Sequence, residues 1–247
     1  MDFSVTTLIV LLTGGLFAGF TSGFAGFGMG LVSAGFWFYI LPASDVPPVI
    51  VLTTVIAQLV SLVTVRPSFD WSESRPFLVG GAIGVMPGVW ALTMISPRVL
   101  KLTVGMLILI YCIWQLAPTA KTIIRDRMNS VANGIVGLSG GFLGGFAGLP
   151  APIPLMWLQL HNRTNGQNRA IYQTFNLLIL VFAAIILWFA GHLSESVVGT
   201  TIRVAPAVIL GSYLGAKCYR KTSEKLFKLL VLGLLILSAT VLVSTSI

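Results

Sequence analysis

The chain has 247 residues, of which 56% are hydrophobic and only 9% are charged. A soluble domain usually carries about a quarter charged residues, so this chain has too few charges to cover a water-facing surface. At about 20 apolar residues for each helical crossing, the length allows roughly eight to ten membrane segments and leaves no room for a separate soluble domain. The formal net charge of +8 is better explained by basic cytoplasmic loops than by binding to nucleic acid.

Apolar runs follow one another along the whole chain. In the first half they cover residues 5–25, 28–41, 47–65, 77–95 and 99–117. In the second half they cover residues 131–146, 151–160, 170–190, 197–216 and 226–243. The polar stretch 118–130 separates the two series. The pattern predicts an all-α polytopic membrane protein.

The two halves resemble each other in sequence. GFTSGFAG at residues 19–26 matches GFLGGFAG at residues 141–148, with six of eight positions identical at an offset of 122. Gly84 and Gly88 match Gly211 and Gly215 at an offset of 127. Internal duplication is the usual construction of secondary transporters. We therefore expect one membrane repeat in residues 1–120 and a second in residues 121–247.

The basic residues indicate how the repeats are oriented. If residues 5–41 form one crossing, the 15 basic residues divide nine to six between the two sides; if the glycine-rich break turns the chain back, they divide 12 to 3. The positive-inside rule favours the second arrangement. A continuous helix over residues 5–41 would also be about 55 Å long, against a hydrocarbon core of about 30 Å. We predict inverted-topology repeats in a bacterial inner membrane, each with a broken or re-entrant first segment and three spanning helices, and both termini outside.

The titratable residues exclude several functions. All seven acidic residues fall in or beside predicted loops, whereas proton- or sodium-coupled cation carriers generally keep a carboxylate at membrane depth. This argues against transport of metal cations or polyamines. His161 and His192 have no cysteine or carboxylate at ligand spacing. We therefore expect no metal site, no cofactor and no enzymatic activity.

Two glycine-rich segments, residues 19–30 and 137–154, are expected to interrupt the helices at membrane depth. A half-helix N-terminus carries partial positive charge and exposed N–H groups, and glycine lets a ligand approach the backbone closely. Two inverted breaks near the midplane would therefore form a pocket for a small anion. The alternative is that these glycines only allow helices to pack closely. The candidate residues in these segments are Ser22, Gly23, Gly26, Gly28, Gly145 and Gly148.

Polar side chains also lie inside two apolar runs at equivalent positions of the two halves, since Thr53 matches Thr174 at an offset of 121. Asparagine and glutamine amides can donate hydrogen bonds to an oxyanion. Each could equally hold helices together through interhelical hydrogen bonds. We interpret the cluster as lining the anion pocket, and its members are Thr53, Thr54, Gln58, Gln173, Thr174 and Asn176.

Two arginines border apolar runs. Arg203 lies in the otherwise apolar stretch TTIRVAPAVILG, where it could bind an anion bidentately or extend from the edge of its helix towards water. We include it among the candidate binding residues. Arg169 comes one residue before an apolar run and has the same two interpretations.

The Gly-Phe-x-x-Gly-Phe-x-Gly block that opens each half, and GSYLGAK at residues 211–217 before a basic turn, resemble the sulfite exporter TauE/SafE family of membrane permeases. The resemblance covers essentially the whole chain. It implies export of sulfite or of small organosulfonates such as sulfoacetate. The chain departs from the family pattern where it reads GFGMG at residues 26–30 and GLPAP at residues 148–152, in place of consecutive glycines, which implies a pocket of different size.

Two alternatives remain open from the sequence. One is a transporter of another small anion, such as a carboxylate. The other is a membrane assembly subunit that transports nothing, which would have continuous helices through both glycine-rich segments. The expected partners are a small anionic substrate and the lipid bilayer, and the sequence leaves homo-oligomerisation open.

Overall fold

The computed structural model describes residues 4–65, 71–116, 129–161, 164–219, 232–233 and 235–236. These ranges contain nine α-helices. The apolar run predicted at residues 226–243 lies almost entirely outside them, as do the basic residues of the loop at 117–128. In chain order the helices are α1 Val5–Ala25, α2 Met29–Ile40, α3 Val46–Val65, α4 Trp71–Met94, α5 Pro97–Leu116, α6 Ser130–Ala147, α7 Pro152–Gln159, α8 Asn165–Phe189 and α9 Glu195–Cys218.

The first nine predicted runs correspond one to one to these helices. The largest differences occur at N-termini, where α4 begins six residues and α8 five residues before the apolar run. The start of α8 has a chemical reason, because Thr164 and Gln167 form a capping box in which each side chain accepts the other's backbone N–H. Apolar runs locate the membrane-embedded part of a helix, while its polar first turn is defined by capping.

In the described part of the chain, seven helices are long and apolar enough to cross a bilayer. The protein is therefore a multi-pass membrane protein. The two remaining helices are short, since α2 has 12 residues and α7 has eight. At 1.5 Å per residue they measure about 18 Å and about 12 Å, well below the hydrocarbon thickness of about 30 Å.

Several helices expose large apolar side chains on one face and bury glycines on another. On α4, for example, Ile83 is 59% exposed and Trp90 is 65% exposed, whereas Gly84 and Gly88 are buried. An apolar surface of this kind would be unfavourable in water but is compatible with lipid, because lipid tails are as apolar as these side chains. The buried glycines let the backbones of neighbouring helices approach each other closely.

Helices α4 and α6 pack through glycines from both partners. Along α6, Gly137 faces Phe77, Gly141 faces Gly81 and Gly145 faces Val85. Both residue numbers rise by four at each step, so the two helices run parallel. A Cβ atom at Gly141 would collide with the backbone of Gly81.

Helices α1 and α9 form a second parallel pair of the same kind. Along this contact Gly15 faces Val204, Gly19 faces Val208 and Gly23 faces Ser212. Each pair combines one helix from each half of the chain. The duplicated glycine blocks lie in α1 and α6, and the matching glycine pairs lie in α4 and α9.

Helices α3 and α8, which carry the matching residues Thr53 and Thr174, run antiparallel to each other. Near the start of α8, Gln173 donates hydrogen bonds to Gln58 and Ser61 in the second half of α3. Residues 181–188 of α8 instead share an apolar groove with residues 52–56 of α3. Later residues of α8 thus lie beside earlier residues of α3.

Candidate functional site

The chain leaves the helical conformation at both glycine-rich segments. The first break, residues 26–28, separates α1 from α2, and the second break, residues 148–151, separates α6 from α7. Gly26, Gly28 and Gly148 have φ angles of 78°, 93° and 72°. A residue with a Cβ atom adopts this left-handed region only at a cost, so glycine is the favoured residue at these positions.

At each break the chain turns back on itself. After the first break, the Trp37 indole of α2 donates to the carbonyl oxygen of Leu11 in α1 at 3.3 Å. After the second break, the Trp157 indole of α7 donates to the side-chain oxygen of Asn133 in α6 at 2.9 Å. Both α1–α2 and α6–α7 are therefore antiparallel hairpins with a glycine turn.

Polar side chains cap the end of α1 at the first break. The last four carbonyls of a helix have no partner within it, and here each finds a donor on another helix. Arg169 and Tyr172 come from α8, and Gln58 comes from α3. Arg169 donates from Nη2 to Gly23 at 3.3 Å and from Nη1 to Phe24 at 3.1 Å, Tyr172 donates to Ala25 at 2.5 Å, and Gln58 donates to Gly26 at 2.8 Å.

These capping groups belong to one hydrogen-bond network. Nε of Arg169 donates to the side-chain oxygen of Gln173 at 3.2 Å. The amide nitrogen of Gln173 donates to Gln58 at 3.3 Å and to Ser61 at 3.1 Å. All four side chains are buried. The network therefore connects the first break to both α3 and α8.

The second break is capped by the backbone instead. The N–H of Gly148 donates to Gly144 at 3.0 Å, and the N–H of Leu149 donates to Leu143 at 3.1 Å. A Cβ atom at Gly148 would meet the side chain of Ile50 and the carbonyl oxygen of Pro47. The groups of α3 that face the second break are therefore an apolar side chain and a main-chain carbonyl. The two breaks thus share a backbone geometry but differ in their surroundings.

The first turn of α2 lies between the two breaks. Gly30 lies so close to the second break that a Cβ atom there would stand 3.0 Å from the carbonyl oxygen of Gly148. Gly28 supplies no capping side chain, and the first α2 amide with an acceptor is that of Val32. Among the described residues, the buried N–H groups of Met29, Gly30 and Leu31 have no acceptor. They form a cluster of donors with partial positive charge.

The corresponding helix of the second half offers fewer donors. Pro152 and Pro154 have no N–H, and Leu155 already donates to Ala151 at 2.9 Å. Any anion held by main-chain N–H groups would therefore bind mainly at α2.

Two polar stripes, one on α3 and one on α8, face each other beside the first break. Their members are three or four residues apart and so share one helix face. The Thr54 hydroxyl donates to the carbonyl of Ile50 at 2.6 Å. Asn176 is only 2% exposed, and its amide has no hydrogen-bond partner among the residues that the structure describes. The α3 stripe consists of Thr54, Gln58 and Ser61, and the α8 stripe of Arg169, Gln173 and Asn176.

Comparison with protein families shows which family the chain belongs to. The chain matches the family model described as "Sulfite exporter TauE/SafE" over residues 11–242. The chain belongs to the TauE/SafE family. Members of this family are membrane permeases for sulfur-containing anions and not enzymes. The resemblance drawn from the glycine blocks is thereby confirmed. No curated protein and no solved structure matches the chain.

Within this TauE/SafE member, several of the candidate residues predicted from the sequence lie together. Gln58 and Gln173 hydrogen-bond to each other, and Gly26 accepts from Gln58. Thr53 and Thr174 are buried, but their hydroxyls donate to carbonyls of their own helices, at Val49 and Ala170. Those two hydroxyls are occupied in this conformation. Five further candidate residues lie at the breaks or on the stripes, namely Ser22, Gly28, Thr54, Gly148 and Asn176.

Three candidates have different surroundings. The Cα of Gly145 faces the backbone of Val85, and that of Gly23 faces Ser212, so close helix packing explains both glycines. Arg203 is exposed on the outer face of α9, as expected for an arginine that extends towards the edge of the membrane. The structure does not bring Arg203 to the breaks.

Tyr172 and Ser61 were not among the residues predicted from the sequence, and Arg169 had two open interpretations. One signal was available for Arg169. Its spacing to Gln173 and Asn176 is four and then three residues, which places all three on one helix face. No comparable signal exists for Tyr172, because its hydroxyl reaches the first break only where the start of α8 meets the end of α1.

Proposed function

We propose that this protein is a permease that moves a small sulfur-containing oxyanion, sulfite or an organosulfonate such as sulfoacetate, out of the cell across the cytoplasmic membrane. The main support is the group of buried N–H groups at the start of α2, which have no acceptor among the described residues. They lie between two breaks in a chain of the TauE/SafE family.

The chemistry around the breaks suits an anion. Helix N-termini attract negative charge through their partial positive charge and free donors. The stripes add the amides of Gln58, Gln173 and Asn176 and the guanidinium of Arg169, all of which can donate to oxyanion oxygens. Ser22, also buried beside the first break, has a hydroxyl with no partner among the described residues.

The proposed transport path follows α3 between the two breaks. Gln58 contacts the first break and Ile50 the second, and eight residues of helix correspond to about 12 Å. An anion that moved along the facing stripes would thus pass from the first break to the second. The N–H groups at the start of α2 would remain beside the anion.

We also propose that residues 1–120 and 121–247 are inverted-topology repeats. Antiparallel α3 and α8 support this, because they carry matching residues of the two halves. The parallel pairs α1–α9 and α4–α6 support it too, since each joins non-equivalent helices of opposite halves. Inverted repeats with broken helices are a common construction of secondary transporters.

Inversion predicts where the C-terminus lies. We expect alkaline phosphatase fused after Ile247 to be active, since this enzyme works only outside the cytoplasm, and green fluorescent protein at the same position to be dark. A fusion after Ala120 is the matched control and should give the opposite result, because the basic loop there belongs inside. Bright fluorescence from the fusion after Ile247 would contradict the inverted arrangement.

Flux measurements in liposomes test the function. We expect purified wild-type protein to move sulfite and sulfoacetate well above protein-free liposomes, and faster than acetate. The variants Gln173→Ala and Asn176→Ala should each reduce sulfite flux about fivefold, the equivalent of one hydrogen bond of about 1 kcal/mol. Thr93→Ala on α4 is the control, because this exposed hydroxyl donates to the carbonyl oxygen of Trp90 in its own helix.

The outcomes of this assay separate the alternatives. Faster transport of acetate than of sulfite would indicate that the substrate is a carboxylate and not a sulfur oxyanion. Flux equal to protein-free liposomes for every anion would favour an assembly subunit that transports nothing. Undiminished flux in both Gln173→Ala and Asn176→Ala would remove these side chains from the binding site.

A further inference from the structure

Arg169 is a buried cation that has no full countercharge among the residues that the structure describes. Its side chain lies four residues into α8 and is only 4% exposed. Its hydrogen-bond partners are two main-chain carbonyls and one amide oxygen, all of them neutral. No carboxylate of a described residue pairs with it. A buried charge is costly unless it is paired, so this guanidinium is a candidate for binding an anion.

The hydrogen bonds of Arg169 leave donors unused. A guanidinium has five N–H groups. Nε, Nη1 and Nη2 each donate once, to Gln173, Phe24 and Gly23 respectively. One N–H on each terminal nitrogen therefore has no acceptor within the described ranges. Each of these two N–H groups can donate to an oxygen of an oxyanion.

The position of the guanidinium is fixed by its neighbours. Its central carbon lies 4.1 Å from the centre of the Tyr219 ring, at the end of α9. Gln173 holds Nε from the other side. An arginine that simply extended to water would be mobile and exposed, whereas this one is held in place at the first break.

Among the described residues, the C-terminus of α1 supplies the only countercharge to Arg169. The carbonyls at a helix C-terminus amount to about half a negative charge. An oxyanion carries at least one full charge and is therefore the stronger partner for the guanidinium. Arg169 can accept it with the unused N–H groups or by releasing the carbonyls of Gly23 and Phe24.

We infer that Arg169 binds the transported oxyanion directly, and that the end of α1 takes the place of the anion when the site is empty. The inference rests on the proposed function and adds to it the residue that recognises the charge. Substrate binding would loosen the cap on α1, because the anion and the α1 carbonyls compete for the same guanidinium. Anion binding and rearrangement of the first break are thereby coupled.

Equilibrium binding of radiolabelled sulfite to the purified full chain in detergent tests the inference. We expect Arg169→Gln to weaken sulfite binding about ten- to hundredfold, as for a hydrogen bond to a charged group. Arg98→Gln, at the exposed start of α5, removes the same charge away from the breaks and should bind like wild type. Elution as one symmetrical species in gel filtration establishes that each variant is folded.

Arg169→Lys covers the case in which Arg169→Gln does not fold. Lysine keeps the charge but lacks the fixed fork of N–H donors of a guanidinium, so we expect about tenfold weaker binding. Binding within twofold of wild type, in Arg169→Gln or in Arg169→Lys when only that variant folds, would overturn the inference and leave the proposed function intact. Absence of sulfite and sulfoacetate binding in wild type would overturn both.

Discussion

Replacing Gly141 with alanine is expected to destabilise the protein strongly. A Cβ atom at this position would collide with the Cα, the carbonyl carbon and the carbonyl oxygen of Gly81. These are main-chain atoms of a parallel neighbouring helix, so no side-chain rotation can relieve the contact. Overpacking of this kind costs about 3 kcal/mol or more, and we expect the melting temperature in detergent to fall by about 6–12 °C.

Gly134→Ala is the matched control, because Gly134 lies on the same helix and faces the same partner. The nearest atom to a Cβ there is the carbonyl oxygen of Pro76, at 3.8 Å, which is an ordinary contact. Alanine also favours the helix by up to about 1 kcal/mol over glycine. Equal melting temperatures for Gly141→Ala and Gly134→Ala would show that α4 and α6 do not approach each other as closely as the structure has them.

The positions of the helices and of the breaks could be predicted from the sequence because local chemistry determines them. Apolar runs must cross lipid as helices. The breaks need residues that can adopt positive φ, and Gly26, Gly28 and Gly148 provide them. Pro152 then fits the first turn of α7, where no backbone N–H is needed.

The surroundings of the breaks could not be predicted in the same way. The duplicated glycine blocks suggested two similar pockets, yet the first break is capped by arginine, tyrosine and glutamine and the second by its own backbone. Which side chains reach a break depends on how α3 and α8 pack against α1 and α6. That packing depends on residues far apart in the sequence, so the periodicity of a single helix does not predict it.

Arg169 and Arg203 illustrate the same limit. Both border apolar runs, and sequence alone gave each the same two interpretations. The structure buries Arg169 against the end of α1 and leaves Arg203 exposed on α9. The difference arises because Arg169 has acceptors within reach, namely the last carbonyls of an interrupted helix.

The second large effect is expected at Asn176 on the α8 stripe, whose amide has no partner among the described residues. In a chain with Cys112→Ser and Cys218→Ser, we expect Asn176→Cys to react with a methanethiosulfonate that carries a sulfonate group. The reagent with a trimethylammonium group of similar size should react at least about tenfold more slowly, because the donors of α2 and Arg169 favour anions. The proteins would be incorporated in liposomes and the products read by mass spectrometry.

Ile179→Cys is the matched control for this measurement. Ile179 lies on the same helix and is equally buried, but it packs against Gly81 of α4 and Gly144 of α6 instead of facing the other stripe. We expect it to react with neither reagent. Sulfoacetate is the competitor of choice, since sulfite itself cleaves the mixed disulfide that the reagent forms.

Modification of Asn176→Cys tests most directly whether the space between the two breaks is a path for sulfur oxyanions. We expect the sulfonate reagent to modify this cysteine, excess sulfoacetate to protect it, and Ile179→Cys to stay unmodified. Preference for the cationic reagent, or labelling that sulfoacetate leaves unchanged, would contradict an anion path at this position.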